Sequence, residues 1–398
     1  MGIKRHKLTG LPIAVGSLTA LRNLPFVSFP IWRLANIVSL ALLIVQESRI
    51  SSVFIVMAAA INCIILYLIG QMFITEICSY NFASACGFAI LLYFSFAVAV
   101  NAGKFNLYLI RALRSTACVV FAYQCLQIVL YFTGHSDLMY LLNDSTILKQ
   151  ANASRFVGIL FGPPSFMAES GHIAIFVGPL MSILLIFEKI KFLHTPKLMY
   201  FAFILSLILT LSGGAFVEIA FISMTAIIIE RSVFKKFLVI TGIAGCLFIV
   251  SFVLSDYTGL IMYKIQALRS GSSSRVIGTQ GYWVAFSENP LFGIGPDAVR
   301  GIRGDPNMLL PILLAGYGII GVFMFSVLMV IFPIMLWLRT TTKLFIIPLI
   351  AMYFHLILAY GTLTWPYIWS NFALAIFGLF VGMKTTRQID QSKQFKMN

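Results

Sequence analysis

Arg275, Arg300 and Arg303 stand out first, because charged residues make up only 10% of this chain and hydrophobic ones 60%. They fall in one stretch, Ser274 to Gly321, which reads SRVIGTQGYWVAFSENPLFGIGPDAVRGIRGDPNMLLPILLAGYGIIG. Guanidinium groups gathered this way suit a phosphate-bearing anion, since each presents a planar fork of donors to two oxygens at once. A second group lies upstream in RFVGILFGPPSFMAESGHIA, where Arg155 precedes Glu169 and His172. Glu169 and His172 are three apart and so share a helical face, and a carboxylate there could take a proton from a hydroxyl.

Each candidate has a plainer reading beside the chemical one. Pro163 and Pro164 predict that a helix restarts after them, with Ser165 as its N-cap, so that its amino end offers unpaired N–H groups to an anion. Glu169 could equally complement that helix dipole, and His172 could be an interfacial hydrogen-bonder. Arg300 and Arg303 sit among Gly301 and Gly304, which fits either a solvated loop or a mobile ligand clamp. Arg275, Thr279 and Tyr282 share one face of a predicted short amphipathic helix stopped by Asn289-Pro290, while Val276, Trp283 and Phe286 are expected to meet lipid. Asn307 is placed to cap the helix that follows. Glu218 lies about one turn inside a predicted span, where an ionisable group is either a site or a paired structural charge. His355 reads as a packing residue.

The elements that position these groups are membrane helices. A mean hydropathy of +0.96 over 398 residues lies far outside the range of a water-soluble fold. Apolar runs near the length needed to cross a bilayer recur, as at 53–74, 82–100, 237–254 and 308–337, and no alternating strand pattern suggests a barrel. The expected class is therefore an all-α polytopic membrane protein, one integral membrane domain over 1–398. Its amino end shows no cleavable signal, so the first span is expected to do the targeting. The six cysteines lie in or beside apolar spans without a CxxC pair and read as small core residues. The net charge of +15 is spread in short clusters beside spans, which is a topology signal and argues against nucleic acid.

Those clusters are Lys104 with Arg111 and Arg114; Lys189, Lys191 and Lys197; Arg231, Lys235 and Lys236; Arg339 and Lys343; and Lys384 with Arg387. All five can be cytoplasmic if crossings fall at about 115–133, 171–187, 198–211, 215–229, 237–254, 308–337, 344–360 and 366–383. Two long loops, 134–170 and 255–307, the second with the amphipathic helix, then share the outer face. At the amino end, crossings at 34–45 and 53–74 precede 82–100, and a short one near 8–21 would restore parity, for eleven or twelve spans.

An arginine a dozen residues before an NPLFGIG turn, then a polar segment and a helix carrying a GxxG pair, resembles the bacterial O-antigen polymerase and ligase superfamily. Here those elements are Arg275, Asn289 to Gly295, and Gly318 with Gly321; the segments Arg155 to Ala174 and LTLSGGA at Leu209 to Ala215 are similar to further parts of it. Asp305-Pro306-Asn307-Met308 stands where the ligase branch carries a His-Asn pair, and no histidine lies between His194 and His355, so the polymerase branch is favoured.

The resemblance implies a GT-C-like glycosyltransferase of the bacterial inner membrane, its active site facing the periplasm. It would move a growing glycan from undecaprenyl pyrophosphate to the next lipid-linked repeat unit. Arg155 and Arg275, with Arg300 or Arg303, would hold the pyrophosphate, and Glu169 would act on the accepting hydroxyl. His172, Glu218, Tyr282 and Asn307 would line the substrate. Partners implied are the undecaprenyl-pyrophosphate-linked oligosaccharide, membrane lipids and a chain-length-regulating membrane protein. No cofactor is expected, since no Walker motif, zinc spacing or DxD signature appears. The other readings are a ligase acting on lipid A core or a protein, and a transporter or flippase, which would favour inverted repeats and midplane charges.

Overall fold

The structure, a computed structural model, describes residues 34–35, 37–38, 41, 52–74, 104–135, 138–140, 156–157, 160–161, 163, 165, 170–210, 212–230, 232, 266, 274–295, 299, 302, 309–358 and 368–382. Helices dominate them: α1 (Ser52–Ile74), α2 (Lys104–Phe132), α3 (Ser170–Lys189), α4 (Lys197–Leu209), α5 (Gly213–Ile229), α6 (Ser274–Glu288), α7 (Leu309–Ser326), α8 (Phe332–Arg339), α9 (Ile346–Leu358) and α10 (Ile368–Gly382). A π-helical turn, Val327–Ile331, joins α7 to α8. The only departure from helix and turn among the described residues is a minimal hairpin in the first loop, Phe156 pairing with Phe161 and Val157 with Leu160. The crossings expected at 8–21, 82–100 and 237–254 lie outside the described residues, and 34–45 is represented only by scattered helical positions.

Among the described residues three helical stretches are long and apolar enough to cross a membrane: Leu109–Phe132, Gly171–Lys189 and Leu309–Arg339. They differ in how much they bury. In Gly171–Lys189 89% of the apolar window is buried, against 33% and 39% for the others, so α3 is the central post of the described bundle. It packs against α5, α9, α4 and α2, with Phe176, Leu180, Ile183 and Phe187 fully enclosed.

Arg111 and Arg114 are not in a loop, as the crossing at 115–133 implied; they ride the first turns of α2, whose helix extends back to Lys104 because nothing in KFNLYLIRALRS breaks it. Arg114 Nη1 donates to the His194 carbonyl, 3.1 Å away in the α3–α4 connection. In that same connection the Tyr200 hydroxyl donates to Glu188 Oε2 at 2.8 Å. Phe187 packs on Phe192 and Phe345, with centroids 5.0 and 4.8 Å apart, tying the end of α3 to the start of α9. The hydroxyls of Thr340, Thr341 and Thr342 donate to the last carbonyls of α10 at Leu379, Gly382 and Gly378. The basic residues of the α2 start, the α3–α4 turn and the α8–α9 turn, together with the C-terminal end of α10, therefore gather at one end of the bundle. At the other end α2 closes on Gly134, whose φ of 80° lets His135 N–H reach back to the Leu130 carbonyl at 2.9 Å.

Among the described residues three helix breaks stand out, and at each a neighbour supplies a partner to the opened backbone, as an apolar surrounding requires. Pro179 in α3 leaves the Ile175 carbonyl without its helical donor, and Asn371 Nδ2 of α10 donates to it at 3.3 Å and to Phe176 O at 2.9 Å. Pro333 does the same to the Met329 carbonyl in the π-turn, and the Tyr353 hydroxyl of α9 donates there. The third break, at Gly318, belongs to the candidate site.

Candidate functional site

Within α7, Gly318 adopts φ 62°, ψ −172°, so the helix is interrupted between Tyr317 and Ile319. The Asn289–Gly295 turn is sewn into this gap. Ile294 N–H donates to Ala315 O at 2.8 Å and Gly295 N–H to Gly316 O at 3.0 Å, while Ile319 N–H donates to Pro290 O at 2.9 Å and Ile320 N–H to Leu291 O at 3.2 Å. The N–H groups at the new helix start are thus taken by loop carbonyls, which excludes an anion from that terminus. Glycine is required on both sides: a Cβ at Gly318 would overlap the Leu291 carbonyl, and one at Gly293, with φ 72°, the Gly316 backbone. From α1, Gln71 Nε2 donates to Phe292 O and, at 3.1 Å, to Gly316 O, and the Tyr67 hydroxyl donates to Tyr317 O.

This seam positions α6, the helix on which Arg275 is the second residue. Tyr282 and Ala285 pack with Val299 and Ala315 into a small core of their own, apart from the main core of the bundle. The face expected to carry Thr279 and Tyr282 is the buried one, and Trp283 is exposed as expected. Phe286 is only half-exposed and Val284 replaces it on the outer face, because the helix leans its Ala285 side onto α7.

The first loop is pinned as well. Ser165 does not cap a helix: its φ of 54° is left-handed, its N–H donates to Gln127 Oε1 at 2.8 Å and its hydroxyl to Val120 O at 2.7 Å. Gln124 Nε2 donates to Ser206 O at 3.3 Å and to Pro163 O at 3.5 Å, joining α2, α4 and the loop. Gln127 Nε2 and the Tyr123 hydroxyl both donate to Met139 O at 3.0 Å. The 13 residues of α4 rise only ~20 Å, less than a hydrocarbon core of ~30 Å, and Gln124 links its Ser206 carbonyl to Pro163 of the loop.

Glu218 is fully buried and meets His355 Nε2 at 2.8 Å through Oε1. Its carboxylate lies against Gly178, where a Cβ would overlap it, beside the Pro179 kink. Glu218 lies a little over one turn inside α5, as the sequence places it. Its partner is a histidine and not an arginine, and His355 joins α9 to α5 instead of serving in packing alone.

His172, Glu218 and Tyr282 are all buried, His172 at the start of α3. Arg155, Glu169, Arg300, Arg303 and Asn307 lie outside the described residues. The residues that sequence reasoning missed are Tyr67, Gln71, Gln124, Gln127 and Asn371; a side-chain amide within an apolar helix was the available signal, since it must find a partner there. The described residues are helical apart from turns and the short hairpin and include three helices long and apolar enough to cross a membrane, and no family model, no curated protein and no solved structure matches the chain.

Proposed function

We propose that the protein polymerises lipid-linked oligosaccharide repeat units at the outer leaflet of the bacterial inner membrane, in the manner of an O-antigen polymerase with a GT-C-like architecture. One observation carries the reading: the segments next to Arg155 and Arg275 are both bound on the half of the bundle away from the basic clusters, Pro163–Ser165 on α2 and Asn289–Gly295 on α7. With the basic end cytoplasmic, loops 134–170 and 255–307 are periplasmic. The direction of α1 agrees with this parity. Tyr67 meets Tyr317 while Gln71 meets Gly316, so α1 runs antiparallel to α7 and starts at the basic end, leaving 82–100 as the crossing before α2.

The transfer joins the acceptor hydroxyl oxygen to the anomeric carbon of the growing chain as the bond from that carbon to pyrophosphate breaks. Undecaprenyl pyrophosphate departs with the electron pair. Arg155 and Arg275, with Arg300 or Arg303, offset the charge developing on it, and Glu169 takes the hydroxyl proton. His172, Glu218, Tyr282 and Asn307 shape the surrounding substrate pocket. Arg275→Ala and Glu169→Gln are expected to abolish long glycan ladders in cells while the protein still inserts; normal ladders from both would refute these roles. Loss of the gene product should leave single repeats on the core, whereas a ligase would leave none.

A further inference from the structure

We infer that α6 and the Asn289–Gly295 turn form an element inserted among the lipid chains at the outer hydrocarbon boundary, with Trp283, Val284, Leu291 and Phe292 as its lipid-contacting face. This reading is independent of the glycan chemistry. All four side chains are exposed, from 44% to 57%. The opposite face of α6 is already occupied, Tyr282 and Ala285 being packed on Ala315 and Val299.

Depth follows from the span that holds the turn. Arg339 closes α8 at the basic end, and Gly318 lies ~31 Å from it along Leu309–Arg339 at about 1.5 Å per residue. A hydrocarbon core of ~30 Å therefore ends at the break. The turn bound at Ala315–Ile320 sits at that boundary, where backbone can leave the helix and where tryptophan concentrates. The lipid-facing surface of the span is also continuous with the turn: Ile319 and Phe323 are exposed on α7, and Ile319 N–H is bound by Pro290, the residue before Leu291. Four large exposed apolar side chains, two on the helix and two on the turn after it, are unfavourable in water, and a lipid surface takes them without a partner protein. The consequence is that α6 lies in the interface plane, at the depth of lipid phosphates, with Arg275 in its first turn.

The test uses the full-length chain in phosphatidylcholine vesicles, comparing its tryptophan emission with that of Trp283→Phe, so that the difference reports Trp283 alone. Substitution at this exposed ring leaves the small core intact. Lipids brominated near the glycerol end of their acyl chains should remove most of the difference signal, lipids brominated near the chain ends should remove less, and iodide in the water should leave it. Quenching by iodide with no response to brominated lipid overturns the inference in favour of a solvated loop. Protection from both quenchers overturns it in favour of a contact between copies of the chain. As an independent measurement, Phe292→Asp should shift the Trp283 emission to longer wavelength; an unchanged spectrum counts against a shared lipid face. None of these readings depends on polymer synthesis, so they separate this inference from the proposed reaction.

Discussion

The bundle repairs broken helices in two ways. In the core around α3, a proline removes one donor and one side chain from a neighbouring helix replaces it: Asn371 for Pro179, Tyr353 for Pro333. Around α7, a glycine opens the helix and a whole turn of backbone closes it, with Tyr67 and Gln71 reinforcing the joint. The first device is local and depends on single side chains. The second spreads the task over four backbone hydrogen bonds, so it tolerates loss of a side chain but not a change of backbone shape. The kinked core fixes the enclosed Glu218–His355 pair, and the stitched break holds the amphipathic helix that carries Arg275.

The largest expected effect lies in the kinked core. His355→Leu leaves Glu218 enclosed without its partner and should cost about 3–5 kcal/mol, seen as a large drop in thermal midpoint in detergent. The double change with Glu218→Leu should recover most of that loss; a double variant as unstable as the single one would mean the pair is not the coupling. Next comes the stitched region, where Gly318→Ala must displace the Leu291 carbonyl from a left-handed position, for about 3 kcal/mol. Limited proteolysis between residues 274 and 295 should detect it as accelerated cutting while the α3 core stays protected.

Asn371→Leu should cost about 1–3 kcal/mol by leaving the Ile175 carbonyl, which Pro179 deprives of its helical donor, without a partner. The sharper form of this test places it on Pro179→Ala, where the restored N–H can serve Ile175 and the penalty should shrink. Additive losses in that cycle would refute the account of the kink. The smallest effect is expected of Gln71→Leu, about 1 kcal/mol, because Ile294 and Gly295 still hold the same turn; a loss as large as that of Gly318→Ala would erase the contrast between the two regions.

Much of this was legible in the sequence. The apolar runs located α1, α3, α5 and the Leu309–Arg339 stretch to within a few residues, because span length and hydropathy are set by the bilayer, but the break of that stretch into α7, a π-turn and α8 was not legible. The basic residues gave the end of the bundle at which they gather, and Asn289 to Gly295 with Gly318 stood out as a unit before their contact was known. What could not be read was the pairing. Gln71 and Gly316 are separated by 245 positions, and nothing local says which carbonyl a buried amide will meet. Ser165 misled for the same reason: serine after two prolines has the chemistry of a cap, but a distant glutamine took its amide. Glu218 was visible as a charge in an apolar helix, while its partner His355, on a helix far along the chain, was not.

The joint between Gln71 and the α7 break also has a consequence for assembly. At a synthesis rate of about 5–20 residues per second, the carbonyl of Gly316 leaves the ribosome roughly 12–50 seconds after the amide that will bind it. The turn that follows the amphipathic helix docks on α7 itself, so the part of the molecule that carries Arg275 is completed late, with α1 already made.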